Sequence, residues 1–143
     1  MVHIKDEGSV FDAPIEVVWK YLQAPEEHNQ QHKSRNFKSK PLGENAMELS
    51  WEANMGGNWA PMKTRITALP PVGVAIEMVE GPMAGSKFFN IYTPMGQKTG
   101  VTVIGEFMSK MIPPAQLEPS VRGFLDQVYN EDAPAIKALA AHR

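Results

Sequence analysis

The sequence predicts an α+β domain: a curved antiparallel sheet wrapped around one long C-terminal helix. Three observations carry this expectation. Between about Ser34 and Lys110, turn residues recur at hairpin intervals, as Pro41-Leu42-Gly43, Gly56-Gly57, Pro70-Pro71, Gly81-Pro82 and Pro94-Met95-Gly96. The segments between these breaks alternate apolar and polar residues with the two-residue period of a half-buried strand. After Pro113-Pro114 the period changes, and Leu117, Val121, Phe124, Leu125, Val128, Ile136 and Leu139 fall at helical spacings.

Taken in order, the chain up to Phe11 reads as a strand. Asp12-Ala13-Pro14-Ile15-Glu16 then opens a helix, with Asp12 as N-cap, Pro14 in the first turn and Glu16 placed to favour the helix dipole. Ile15, Val18, Trp19 and Leu22 form its apolar stripe. Pro25-Glu26-Glu27 begins a second short, polar helix that runs to about His32. In the meander, a two-residue turn at Gly56-Gly57 sets Trp51 opposite Met62, Leu49 opposite Thr64, Met47 opposite Ile66 and, on the outer face, Glu48 opposite Arg65. A five-residue loop from Leu69 to Gly73 sets Ile66 beside Ile76 and Thr64 beside Met78. A second such loop, Gly81 to Gly85, sets Ile76 beside Asn90 and Val74 beside Tyr92, and a turn at Met95 to Lys98 sets Asn90 beside Val103. The inner face is therefore apolar except at Thr64, Glu80 and Asn90. In the last helix, Pro119 fits only the first turn. Pro134 removes a donor and crowds the carbonyl of Asn130, which predicts a kink or, if the helix stops there, a terminator.

With 143 residues, 43% of them apolar, the chain has the size of one domain, 1–143, with its own core. The absence of cysteine excludes disulfides, thiolate metal sites and cysteine nucleophiles, and points to a reducing cytoplasm. Fourteen Lys and Arg against sixteen Asp and Glu leave a net charge of −2, so no positive field recruits nucleic acid. The charged start from Met1 to Glu7 lacks the apolar block of a signal peptide, and no run is long enough to cross a membrane.

Few residues suggest chemistry. His28 and His32 have the spacing of two imidazoles on one metal, but no third ligand is assignable, and a solvated polar face explains them better. No GxSxG or phosphate-cradling loop occurs, and no cofactor is expected. Asn90 faces inward, where an amide must find a side chain, a water or a ligand; Thr64 and water are the plain partners. Glu80 shares the inward parity and is a candidate acid–base group, or else a carboxylate at the solvated rim. Tyr92 and Tyr129 could place hydroxyls in the same space or simply pack there. Trp51 is the leading pocket residue, Trp19 packs the first helix onto the sheet, and Trp59 lies on the outer surface. Met47, Met62 and Met78 point inward and suit an adaptable apolar lining as well as an ordinary core. The expected ligand-facing set is Trp51, Met62, Thr64, Met78, Asn90, Tyr92, Val103, Phe124 and Val128, with Glu80 and Tyr129 as the catalytic candidates.

The order of strand, two short helices, meander and long helix resembles the helix-grip fold of the START-like, or SRPBCC, superfamily. The likeness extends over nearly the whole chain. Its local motifs are Asp12-Ala13-Pro14-Ile15-Glu16-Val17-Val18-Trp19, Glu80-Gly81-Pro82-Met83-Ala84-Gly85, and the stretch from Pro94 to Thr99-Gly100-Val101. The resemblance implies a cavity between sheet and C-terminal helix for a small hydrophobic or amphipathic ligand such as a lipid, polyketide or quinone. Relatives include polyketide cyclases, coenzyme Q-binding proteins and lipid-transfer domains. It leaves two alternatives, a cyclase or aromatase using Glu80, Asn90, Tyr92 or Tyr129, and a module that regulates a partner chain.

Overall fold

The computed structural model of the chain describes residues 1–24, 34–55 and 57–142. Strand β1 (Val2–Phe11) leads into helix α1 (Ile15–Leu22), and six strands follow: β2 (Ser34–Gly43), β3 (Ala46–Met55), β4 (Asn58–Leu69), β5 (Gly73–Glu80), β6 (Lys87–Met95) and β7 (Lys98–Phe107). Helix α2 (Pro114–Ala141) closes the fold. The sheet is a seven-stranded antiparallel array in the order β1-β7-β6-β5-β4-β3-β2, so the first strand returns to pair with the last. The second short helix expected near residues 25–32, and with it His28 and His32, lies outside the described residues.

The alternating pattern of β3 and β4 yields the expected register, with Trp51 opposite Met62, Leu49 opposite Thr64 and Glu48 opposite Arg65. Glu48 accepts a 3.2 Å hydrogen bond from Arg65 Nε, an exposed pair of a kind worth about 0.2–1 kcal/mol. Ile66 pairs with Ile76, Thr64 with Met78, and Asn90 with Val103, also as expected. The β5–β6 hairpin departs from expectation by two residues: Asn90 lies opposite Val74, and Ile76 opposite Phe88. The cause is that Met78 already bonds to Gly85 and Ser86, so the reversal begins before Glu80. A shift of two preserves parity, and Asn90 and Tyr92 still face inward.

Glu80 does not face inward. The β4–β5 ladder shifts between Lys63 and Thr64, which sets Glu80 opposite Lys63 on the outer face. Its carboxylate pairs with Lys63 Nζ at 3.3 Å and is about half exposed. Asp12 is likewise not the N-cap of α1. Pro14 holds that position without a side-chain cap, and Asp12 approaches Lys137 Nζ at 3.8 Å.

Helix α2 begins at Pro114, earlier than the sequence suggests, which places Pro119 beyond the first turn. It also continues through Pro134 to Ala141, so Pro134 is not a terminator. Because Pro134 faces solvent and leaves the carbonyl of Asn130 without its helical donor, Pro134→Ala should raise stability by up to about 3 kcal/mol. Thermal unfolding of the two proteins measures this directly.

Two apolar clusters make up the core. One joins Ile4, Met78, Phe88 and Phe107 of the sheet to Leu117, Val121 and Leu125 in the first half of α2. The other joins Val17, Val18 and Tyr21 of α1 to Phe11, Val74, Tyr92 and Ile136. Ile76 touches both, at the middle of the sheet.

Candidate functional site

Between these clusters the concave face is incompletely covered. Met62, Thr64, Met78 and Tyr92 are buried, yet Trp51, Ile66, Ile76, Asn90 and Val103 are only half-buried although they share the inward parity. Phe124 and Val128 on α2 are half-buried too. The backbone of α2 makes its close approaches to β1 and α1, with no comparable approach to β3, β4 or β5 among the described residues. Apolar side chains on the concave face and on α2 therefore keep part of their surface uncovered.

Polar groups gather at one end of the concave face. Asn90 Oδ1 is buried and has no hydrogen-bond partner among the described residues. Leaving such an acceptor unmet costs about 1–3 kcal/mol. Two residues along the same face, the Tyr92 phenol is pushed well above its ordinary pKa by burial; the neighbouring Asn90 amide opposes that shift and the Asp132 carboxylate adds to it. Trp19 packs edge-on against the Tyr92 ring at 6.0 Å and donates from Nε1 to the Pro71 carbonyl at 3.2 Å. The Tyr21 hydroxyl donates to Asp132 Oδ1 at 2.8 Å, joining α1 to α2 inside the fold. Burial first, then the Asp132 charge, raises Tyr21 far above the usual tyrosine range. Both phenols are consequently neutral hydrogen-bonding groups at physiological pH, and neither serves as a base there.

Asp132 is the polar residue that the sequence reading missed. Its signal is positional: it stands four residues after Val128 and four before Ile136, on the apolar stripe itself, and it is buried. Of the expected ligand-facing set, Trp51, Met62, Thr64, Met78, Asn90, Tyr92 and Val103 share the concave face, and Phe124 and Val128 lie on α2 as partly buried residues. Tyr129 is committed elsewhere. Its ring stacks on Phe11 at 5.3 Å, and its hydroxyl donates to the Val10 carbonyl.

An open depression of about 630 Å³ on the outer side of β2–β4 is lined in part by Lys38, Ser50, Glu52, Lys63 and Glu80. Lys63 pairs there with Glu80, and Glu52 with Arg35, which binds it at 3.0 Å and lies over the Trp59 ring at 4.1 Å. No group of three or more His, Asp or Glu residues among the described residues is placed to hold a metal ion. No described helix is long and apolar enough to cross a membrane.

No family profile and no curated protein matches the sequence. Solved structures do. The Zhui aromatase/cyclase from Streptomyces sp. R1128 superposes with a TM-score of 0.75 at 12% identity, over 99% of this chain and 94% of that one. Ara h 8.0201 superposes with a TM-score of 0.73 at 12% identity, over 96% and 98%. A START superfamily protein from Mycobacterium smegmatis does so with a TM-score of 0.63 at 13% identity, over 99% of each chain.

Proposed function

This chain has the START-like, or SRPBCC-like, helix-grip fold, and we propose that it binds a small hydrophobic or amphipathic ligand between the concave sheet and α2. One observation carries the reading. Inward-facing apolar residues at the centre of the sheet, Trp51, Ile66, Ile76 and Val103, stay half-buried. Apolar surface left uncovered inside a fold gains free energy when a ligand covers it, at about 25 cal/mol per Å². The methionines at Met62 and Met78 add side chains that adjust to more than one ligand shape.

Native mass spectrometry of the protein purified from its own host, without detergent, tests this. The expected spectrum shows the chain plus the mass of one small molecule, which is lost on denaturation. Nile red added to the emptied protein should brighten on entering the concavity. A bare chain in the first measurement and no brightening in the second would overturn the proposal.

A second reading, a cyclase-type enzyme, is favoured by the buried Asp132–Tyr21 pair beside Tyr92 and by the likeness to an aromatase/cyclase. In that reading Asn90 and Tyr92 hold a ligand carbonyl and Asp132 moves a proton, while Glu80 and Tyr129 take no part. Incubation with a linear poly-β-ketone thioester mimic separates the two. Cyclised product that disappears in Asp132→Asn supports the enzyme; binding without turnover supports carriage alone.

A further inference from the structure

We propose that the concavity selects ligands whose polar end is a neutral hydrogen-bond donor, such as an alcohol or phenol, and rejects those ending in a carboxylate. The inference rests on the ligand-binding reading above and goes further by naming the ligand's head group. Its first support is Asn90 Oδ1, an enclosed acceptor with no partner among the described residues. An acceptor is satisfied only by an O–H or N–H, so the group that completes it must donate.

The second support is the charge of the surroundings. The registers of the seven strands define which residues share the inward face with Asn90. Among the described residues, those inward positions and the buried face of α2 carry two carboxylates, Asp6 opposite Val103 and Asp132, and no Lys, Arg or His. The basic residues of the sheet, such as Lys63 and Arg65, fall on the outer face, where they pair with Glu80 and Glu48. An entering carboxylate would leave water and meet acceptors and like charge, which is costly where water is excluded. An alcohol loses far less on desolvation and regains it by donating to Asn90. The neutral phenols of Tyr21 and Tyr92 are consistent with this: Tyr21 already donates to Asp132, and Tyr92 is held protonated by its burial.

Three probes of equal chain length decide the question in competition with Nile red at pH 7.5: decan-1-ol, methyl decyl ether and decanoate. The ether keeps the apolar tail and an acceptor oxygen but has no donor. Decan-1-ol is expected to displace Nile red at concentrations about fivefold to tenfold lower than the ether, the effect of one hydrogen bond, and to exceed decanoate by more. In Asn90→Leu, with folding checked by circular dichroism, the advantage of alcohol over ether should vanish while tail binding persists. The wild-type series needs no variant, so a misfolded Asn90→Leu leaves the test intact. An ether that matches the alcohol, or decanoate that matches or surpasses it, overturns this inference while leaving the ligand-binding reading in place. Nile red that fails to bind, together with a bare chain in the native mass spectrum, overturns that reading first, and this one with it.

Discussion

Gly73→Ala should destabilise the domain by about 3 kcal/mol or more. Gly73 opens β5 beside the residue pair on which the site depends. A Cβ at Gly73 would overlap the carbonyl oxygen of Asn90, and it would lie 3.0 Å from that carbonyl's carbon and 3.1 Å from Ile91 Cα. These are main-chain atoms within a paired strand, so relief cannot come from a side-chain rotation. Either β6 moves away from β5 or the pairing of Gly73 with Ile91 is lost. Urea unfolding of Gly73→Ala against Gly43→Ala provides the measurement, because a Cβ at Gly43 meets nothing within 4 Å and should change stability by no more than about 0.5 kcal/mol. Any Gly73→Ala protein that does fold should also bind ligand more weakly, since the displaced segment carries Asn90. Equal stability of the two variants would mean that β6 is free to shift.

Phe107→Ala comes next, with an expected loss of about 3–5 kcal/mol. Phe107 ends β7 at 0% exposure, and its ring stacks on Phe88 with centroids 4.9 Å apart and planes at 25°. Removing it takes away transfer free energy and also leaves a void between sheet and helix, because Val121 and Leu125 ride on a continuous helix and cannot collapse independently. The comparison is Phe89→Ala. Phe89 is the next residue after Phe88 and points outward at 48% exposure, so its loss should cost about 0.5 kcal/mol or less. A similar midpoint for both variants in urea would contradict the placement of the core.

The residues differ in how far their places could be read from sequence, and the reasons are physical. Trp51, Met62 and Thr64 were legible because β3 and β4 alternate cleanly and a two-residue turn leaves one register that buries both apolar sets. Asn90 and Tyr92 were legible in parity but not in partner, since Met78 bonds to Gly85 and Ser86 and the hairpin closes two residues earlier than its Gly and Pro residues suggest. Glu80 was misplaced because one extra residue in the ladder reverses the face of everything beyond it, and hydrophobic alternation carries no mark of such a bulge. Asp132 was hidden differently. A charged residue on an apolar stripe reads as an interruption until its partner is known, and that partner, the Tyr21 hydroxyl, lies 111 residues away. Local pattern reports which face a residue takes, whereas a buried polar pair joining distant elements becomes visible only once those elements meet.

The return of β1 to β7 also governs when this chain can become a protein. Val2 pairs with Phe107, and Phe11 with Thr99, so the first strand to leave the ribosome waits for the last strand of the sheet before it has a neighbour. Helix α1 waits longer, since its Tyr21 is tied to Asp132 on a helix made later still. The hairpins from β2 to β7 can form in sequence as they emerge, each between adjacent segments, but the edge that closes the sheet is its most non-local strand pairing. During synthesis, Ile4 and Phe11, both buried in the finished domain, remain exposed on an unpaired strand for nearly the whole interval. Synthesis rate and the availability of chaperones therefore bear on the yield of this domain through its first ten residues more than through its centre.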